Sequence, residues 1–541
     1  MLFTIRVLFS ARAVPLVRHG SSPSPPPGLK PAESLIRFCA EFHRNAARKR
    51  NAARNSFDRS FAGASFNGNR LKPPMKKWIR ISLRLLVALA LLVAVLLALC
   101  LNGVDYRPYF REPYYKETAA RLTRLAATNS IARGELSAGF GRALLTPTIN
   151  APQDDPLAGK FRALPLAGYG NRHGHPATGV HDDLYVKAVA FRVGNRLGVM
   201  VGADALIVPP EVTEIAVARL RQELGLSREQ IYLSATHSHC SIGGWGEGIV
   251  AEGFSGKFQP GSRTWYADRI VASIRDAVAD LKPASFGHGR FNAPEFVRNR
   301  LVGDLGKVDP EFSYLVVKQN GGRTAILGSY SAHATVLSGN MMDFSADYPG
   351  CWQRSIEEAT GGPAVFLAGE VGSHAPSPGD SGFNGADKMG KALAQKLLAQ
   401  LPRIPLTNSI SFAVLGLDVA LPPLNVRLTD GVRLRPWIAA KLLPVREHSF
   451  VQGFRLGDSV WVSTPCDFSG ELGLRIKETF RSKGQTIAIT SFNGDYIGYV
   501  VCSRYYHMDG YEPRLMSFFG PNVPDYLEEL VRTIGTGLAM Q

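Results

Sequence analysis

An unbroken apolar run near the N-terminus constrains this chain more than any other feature. Every residue from Leu85 to Leu101 is apolar. At 1.5 Å per residue a helix over this run would be about 25 Å long, close to the hydrocarbon thickness of a bilayer. We therefore predict a transmembrane signal-anchor helix over residues 75–102, in contact with the membrane through residues 85–101. A buried helix of a soluble domain and a cleaved signal peptide are the two alternatives.

The position of the charged residues predicts how this helix is oriented. The 541-residue chain has a formal charge of +17, and residues 1–74 hold 13 Lys and Arg against 3 Asp and Glu. Residues 75–102 add four basic side chains and no acidic one, which leaves only +3 for residues 103–541. Basic residues before an apolar run favour a cytoplasmic N-terminus, so residues 103–541 are predicted to be periplasmic or extracellular. Because the basic charge reports topology, we predict no nucleic-acid partner.

Residues 1–74 are rich in Arg, Ser, Pro and Ala and show no sustained apolar period. This composition predicts a disordered basic leader. Two alternatives remain open: the segment is an organellar transit peptide, or it lies upstream of a true start at Met75.

The remainder of the chain alternates between strand-like and helix-like segments. A polar helical stalk is predicted over residues 103–133, followed by one domain over residues 134–541. Short apolar segments and segments of helical period follow one another along that domain. The predicted fold class is α/β, with a mixed β-sheet core flanked by helices and preceded by one transmembrane helix. The strands are predicted at 197–201, 232–236, 312–318, 324–330, 410–415, 460–463 and 486–491, and the helices at 210–224, 264–281 and 386–401.

Histidines follow two of the predicted strands. His237 and His239 come at the end of the strand 232–236, and side chains two apart share a face of an extended segment. His333 follows the strand 324–330. Neutral imidazoles with a carboxylate and one open position are typical of hydrolytic zinc, so these residues indicate a metal site. Polar surface histidines are the alternative.

A series of motifs resembles those of the neutral/alkaline non-lysosomal ceramidase family and follows the same order along the chain. Members of that family are zinc-dependent amidases. The resemblance runs through much of residues 137–522, and its most specific part is THSHCSIGG at 236–244. The other similar motifs are AGFGR at 138–142, TGVH at 178–181, GAD at 202–204, NR at 299–300, SAHAT at 331–335, SAD at 345–347, PCDF at 465–468, NGDYIGY at 493–499 and DGYE at 509–512.

The resemblance implies a function and a set of site residues. It implies an amidase that hydrolyses the N-acyl bond of ceramide or a related N-acyl lipid by means of a zinc-bound hydroxide. The implied Zn²⁺ ligands are His237, His333, Asp467 and Tyr499. The residues implied to contact the substrate amide or the product carboxylate are His239, Arg300 and Tyr511.

Several departures from the family pattern leave alternatives open. Ala375 stands where the family has a serine often treated as the nucleophile, and Asp467 stands where it has a glutamate. A zinc hydrolase of the same fold with another amide or ester substrate, and an inactive lipid-binding relative, therefore remain as hypotheses. Cys240 and Cys466 lie beside two ligand positions, where a disulfide, an extra ligand or two unrelated buried thiols are all open. Since the chain ends soon after its last motif, we expect the catalytic domain without the immunoglobulin-like C-terminal domain of many family members.

Overall fold

The structure is a computed structural model that describes residues 75–128, 130–443 and 445–540. The predictions made for residues 1–74 therefore lie outside the described residues. The apolar helix up to Leu96 and the domain from Leu97 onward form separate compact units, and each is described by itself.

The apolar run forms one helix, α1, over Met75–Cys100. Residues Lys77–Cys100 have a mean hydropathy of 2.9, and none of the side chains in this stretch packs into a core. In the part of the chain that the structure describes, this is the one helix long and apolar enough to cross a membrane. Its length and composition agree with the predicted span.

Twelve strands of the domain form one mixed sheet. β4, β5 and β6 branch from β2, and the long path runs in the order β12, β10, β9, β7, β2, β14, β16, β17, β19. Neighbours are parallel at β5–β6, β10–β12 and β17–β19 and otherwise antiparallel. The strands are β1 Leu101–Gly103, β2 Ala132–Leu144, β3 Gly179–Val180, β4 Tyr185–Val193, β5 Arg196–Ala203, β6 Ile231–Ala235, β7 Lys282–Asn292, β8 Val297–Asn299, β9 Glu311–Gln319, β10 Thr324–Tyr330, β11 Asp343–Phe344, β12 Gly361–Ala368, β13 His374–Pro376, β14 Ser409–Ala420, β15 Val432–Leu434, β16 His448–Leu456, β17 Ser459–Ser463, β18 Asp467–Phe468, β19 Thr486–Thr490 and β20 Tyr499–Val500.

The two faces of the strands pack into different parts of the core. Along β4, Val189 and Phe191 join a central apolar cluster, whereas Ala188 and Ala190 join a cluster beneath helices. The central cluster also takes side chains from β9, β12, β14 and β17, so one sheet face packs on another across it. Helices cover the outer faces. They are α2 Pro113–Thr128, α3 Pro210–Leu224, α4 Ile249–Ser255, α5 Pro260–Ala279, α6 Asp347–Thr360, α7 Gly382–Leu398, α8 Pro436–Leu442, α9 Gly470–Arg481 and α10 Val523–Met540.

This architecture confirms the predicted mixed sheet with flanking helices. Most predicted strands appear within a few residues of their expected ends, as β10 does over Thr324–Tyr330. The segment predicted as a stalk contains α2, which packs against β14. There Thr118 is buried, and its Oγ1 accepts a hydrogen bond of 3.0 Å from the Ala420 amide.

Candidate metal centre

The histidines predicted from the motif lie directly after strand β6. His237 has a φ of +62°, the left-handed conformation that residues other than glycine rarely adopt. Phe492 has a φ of +66°, and its ring stacks on the His237 ring at 4.2 Å between centroids. Since strain of this kind persists only where the surroundings impose it, the packing holds His237 in one orientation.

The three histidines come together as predicted. His237 Nε2 lies 2.8 Å from His333 Nε2 and 3.3 Å from His239 Nε2. His237 and His333 are buried, and the ligand atoms of all three lie within 4.8 Å of one another. The turns after β6 and β10 thus direct imidazoles from distant parts of the chain to one point.

Backbone carbonyls set the tautomers of two of these rings. Leu206 O lies 2.7 Å from His237 Nδ1, and Val371 O lies 3.1 Å from His333 Nδ1. A carbonyl only accepts, so each Nδ1 carries the proton and donates it. Each Nε2 therefore turns a lone pair towards the other.

Asp467 adds a carboxylate to the same point. It lies on β18 with no exposed surface, and its Oδ1 is 3.4 Å from His237 Nε2 and 3.8 Å from His333 Nε2. Tyr496 Oη donates to its Oδ2 at 2.8 Å, whereas Oδ1 accepts no hydrogen bond. Burial raises the pKa of Asp467 to about 7.

Burial also keeps the imidazoles neutral. It lowers the pKa of His237 to about 3 and lowers the pKa values of His239 and His333 well below the ordinary histidine value. The positive charge of Arg300 acts in the same direction on all three. Neutral imidazoles are the form that binds metals.

Two tyrosines and an arginine complete the predicted set. Tyr499 pairs in register with Asp467 across the short β18–β20 ladder, and its Oη lies 3.4 Å from His333 Nε2. Arg300 Nη2 donates to Tyr499 Oη at 3.0 Å, and Arg300 Nε forms an ion pair of 2.9 Å with Glu512. Tyr511 stands edge-on to Tyr499 at 5.6 Å between ring centroids and is half exposed. The structure thus brings together all seven predicted site residues.

The donor set fits a divalent metal ion. Two lone pairs that face each other at 2.8 Å, beside a buried carboxylate oxygen with no partner, repel unless a cation lies among them. Ligands about 2.0–2.1 Å from a tetrahedral zinc are separated by about 3.3 Å, and most of the distances in this centre are close to that value. Nitrogen and oxygen donors of this kind suit zinc well.

The position of the family's serine contains no nucleophile. Ala375 is buried on β13, opposite Arg298 of β8. The nearby Ser373 is also buried, where its Oγ lies 3.0 Å from Ser469 Oγ and accepts from the Gly470 amide at 3.1 Å. Ser373 is therefore engaged in holding two loops together.

Cys240 and Cys466 are free thiols in different hydrophobic clusters. Arg172 Nη2 donates to Cys240 Sγ at 3.2 Å. Burial raises the pKa of both thiols. The arrangement agrees with the hypothesis of two unrelated buried thiols.

Sequence reasoning missed three groups that support the centre. Tyr496, which hydrogen-bonds Asp467, lies inside the NGDYIGY motif without having been singled out. Glu512 is adjacent to Tyr511 in DGYE, and its ion pair with Arg300 could have been proposed from that motif. Phe492 had no signal in the pattern because its role depends on a left-handed backbone conformation.

A second buried polar group lies beside the centre, and we call it the lysine cluster: Lys477, Asp309, Glu311 and Glu370. Lys477 Nζ lies 2.7 Å from Asp309, 3.1 Å from Glu370 and 3.8 Å from Glu311. Burial opposes the charge on Lys477, but the three carboxylates raise its pKa above the ordinary lysine value. Ser331 Oγ donates to Glu370 Oε2 at 2.5 Å. The lysine cluster thus holds the strand ends that precede His333 and Val371.

The fold and the centre together define a class, an α/β protein with a buried histidine and carboxylate centre of the kind that holds a divalent metal. Comparison with known proteins specifies the family. Residues 154–375 match the family model of neutral/alkaline non-lysosomal ceramidase, N-terminal. The resemblance predicted from the motifs is confirmed over this segment.

Two curated relatives are neutral ceramidases from Mycobacterium tuberculosis and Pseudomonas aeruginosa. The first is 24% identical over 239 residues and the second 25% identical over 252 residues, which is 40% and 42% of this chain. These alignments span only 36% and 37% of the relatives' own lengths.

The crystal structure of the neutral ceramidase from Pseudomonas aeruginosa superposes with a TM-score of 0.62 at 19% identity, covering 75% of each chain. A ceramidase complexed with C2 superposes equally well at 18% identity. At this identity the superpositions establish the shared fold.

Proposed function

We propose that this protein is a zinc-dependent amidase that hydrolyses the N-acyl bond of ceramide or a related N-acyl lipid. The observation that carries the proposal is the convergence of His237 Nε2, His333 Nε2 and the unpartnered Asp467 Oδ1 on one buried point. His237, His333, Asp467 and Tyr499 would hold the ion. Bound there, zinc would lower the pKa of a water molecule towards neutrality and polarise the amide carbonyl.

The residues around this point supply the other parts of an amide hydrolysis. Arg300 stays charged because Tyr499 and Glu512 raise its pKa despite its burial. Its guanidinium and the Tyr511 hydroxyl are donors for the charge that develops on the substrate carbonyl oxygen. Neutral His239 takes up a proton and passes it to the leaving amine.

The apolar helix α1 is proposed as a single-pass membrane anchor. Its basic N-terminal flank supports a cytoplasmic N-terminus and a catalytic domain that is periplasmic or extracellular. An anchor of this kind keeps the centre near a substrate that resides in the membrane.

One observation favours a second candidate on the same fold. Ala375 replaces the family's serine, so a zinc hydrolase with another amide or ester substrate is the alternative. An inactive lipid-binding relative is the third.

Metal analysis and product detection on the full chain in detergent test these candidates together. We expect about one zinc per chain, release of sphingosine from N-acyl-sphingosine, and loss of both in His237→Ala. The matched control is His288→Ala, since His288 hydrogen-bonds Asp458 outside the centre. Turnover of other amides but not of ceramide would select the second candidate. Zinc-free protein that keeps full activity in His237→Ala would contradict both enzyme hypotheses.

A further inference from the structure

Residues 98–103, at the start of the domain unit, are held to residues 432–435 by hydrogen bonds. The Arg435 amide donates to Cys100 O at 2.8 Å, and Arg435 Nε donates to Ala98 O at 3.0 Å. The next three residues form β1, which pairs with β15 in the register Leu101↔Leu434. No flexible linker therefore separates the last turn of the apolar helix from residues 432–435.

The helix α8 begins directly after this attachment. Its seven residues, Pro436–Leu442, span about 10 Å. The headgroup layer on each side of a bilayer is about 5–8 Å thick. If Cys100 marks the end of a membrane span, the first turn of α8 lies at the depth of the headgroups.

The side chains of α8 suit that depth. Trp437 is 54% exposed, and Lys441 Nζ lies 5.4 Å from the centre of its ring. Leu428 and Tyr106 present further exposed apolar surface, from the turn before β15 and from the segment after β1. Aromatic side chains concentrate at membrane interfaces, and a basic side chain beside them favours an anionic lipid surface.

The other end of α8 leads towards the candidate metal centre. Leu443 follows the helix and lines an apolar cavity of about 60 Å³ together with Met516, Phe518 and Tyr496. Tyr496 is the residue whose hydroxyl donates to Asp467. One short segment thus joins the exposed Trp437 to the wall of a cavity whose lining includes Tyr496, the hydrogen-bond donor to Asp467.

We propose that Trp437 and the rest of α8 dock on the headgroup layer of the bilayer, and that a lipid substrate leaves the membrane along this segment. The occupant of the surface is the bilayer because α1 ends one hydrogen bond away from Arg435. The proposal rests on the proposed function for the anchor and for the substrate class.

Fluorescence of the full chain in lipid nanodiscs tests the docking. The difference between wild type and Trp437→Phe isolates the emission of Trp437, since Trp78 contributes equally to both. Lipids brominated near the acyl carbonyl are expected to quench this difference spectrum. The matched control is the Trp265→Phe difference, because Trp265 is buried within the domain and its emission should be unchanged. Unquenched Trp437 emission would overturn the proposal. So would quenching that increases with the number of protein copies per nanodisc and not with the bromine content of the lipid, because a second copy of the chain would then be the occupant.

Turnover tests the route of the substrate separately. Trp437→Ser should lower hydrolysis of ceramide embedded in the bilayer several-fold and leave hydrolysis of a short-chain soluble analogue unchanged. Leu157→Ser, which removes another exposed apolar side chain, should change neither rate. Equal loss on both substrates would overturn the route. If wild-type protein hydrolyses neither substrate, the proposed function fails while the quenching still reports the docking.

Discussion

Two buried polar groups meet at the loop after β12, where Glu370 belongs to the lysine cluster and Val371 O accepts from His333, and their charges are balanced in different ways. In the lysine cluster, three carboxylates surround the ammonium group of Lys477, so the protein supplies its own cation. In the candidate metal centre, imidazole lone pairs and one carboxylate oxygen converge with no protein cation among them. In both groups, burying a charge or a lone pair without a partner would cost free energy. The lysine cluster is therefore complete as a structural element, whereas the candidate metal centre has donor groups that fit a cation from outside the chain.

Replacement of a histidine in the metal centre should have the largest effect on activity. His333→Ala removes one of the two facing Nε2 atoms, so we expect zinc content to fall from about one per chain to near zero and hydrolysis to be abolished. Metal analysis and product detection measure both. Because an alanine in this buried pocket relieves lone-pair repulsion, the metal-free variant should melt no lower than metal-free wild type. Retained stoichiometric zinc in His333→Ala would contradict the proposed ligand set.

Replacement of the lysine should have the largest effect on stability. Lys477→Met leaves Asp309 and Glu370 buried without their cation, whereas Glu311 keeps its ion pair with Arg481. We therefore expect a loss of about 3–5 kcal/mol in the free energy of unfolding and a Tm lower by several degrees. Thermal melting of the full chain in detergent measures it.

The control for this variant is Lys391→Met, which breaks an exposed pair with Asp387 and should leave the Tm unchanged. Similar melting of the two variants would show that the lysine cluster does not stabilise the fold.

Asp204 is a buried carboxylate outside both groups, with hydrogen bonds but no basic side chain in contact. Asp204 accepts from the Tyr185 amide at 2.9 Å and from Gln353 at 2.7 Å, and burial raises its pKa to about 6 from 3.8. At pH values between 3.8 and about 6, the folded state binds more protons at Asp204 than the unfolded state does. The contribution of Asp204 to stability should therefore fall by about 3 kcal/mol as pH rises from about 4 to 6.

Denaturation midpoints of wild type and Asp204→Asn at pH 4, 5, 6 and 7 test this sign. The free energy of unfolding of wild type, relative to that of Asp204→Asn, should fall as pH rises from about 4 to 6 and stay constant above about pH 6. A difference that does not change with pH would contradict the assigned pKa.

Restoring the family's serine should have the smallest effect. If hydrolysis depends on the metal centre alone, Ala375→Ser should change turnover by less than about three-fold, since the new hydroxyl adds only one hydrogen-bonding group to an intact site. Steady-state hydrolysis of N-acyl-sphingosine measures it. A gain of a hundred-fold or more would instead show that the serine is the principal nucleophile and that this chain is catalytically impaired.

Much of the fold could be predicted because its signals are local. The strands β5, β6 and β10 are short apolar segments, and α3 has a clear helical period, so they appear close to their predicted positions. The length of β14, which runs from Ser409 to Ala420 and beyond its predicted end, could not be predicted because the pairing with β16 extends it. The packing of α2 on β14 could not be predicted either, since the sequence of a polar helix does not indicate which element it packs against.

The candidate site could also be predicted only in part, for the same physical reason. The sequence alone was enough to predict the apolar helix and the mixed α/β class, and its family motifs named the seven residues that the structure brings together. Only the tertiary structure decided that His237 and His333, 96 residues apart, face each other through Nε2, and that Asp467 Oδ1 is left without a partner while Lys477 is surrounded. These facts depend on contacts between strand ends far apart in the chain, and on backbone carbonyls that select a tautomer. Neither is encoded in the pattern of neighbouring residues, because both arise only when the sheet brings those ends together.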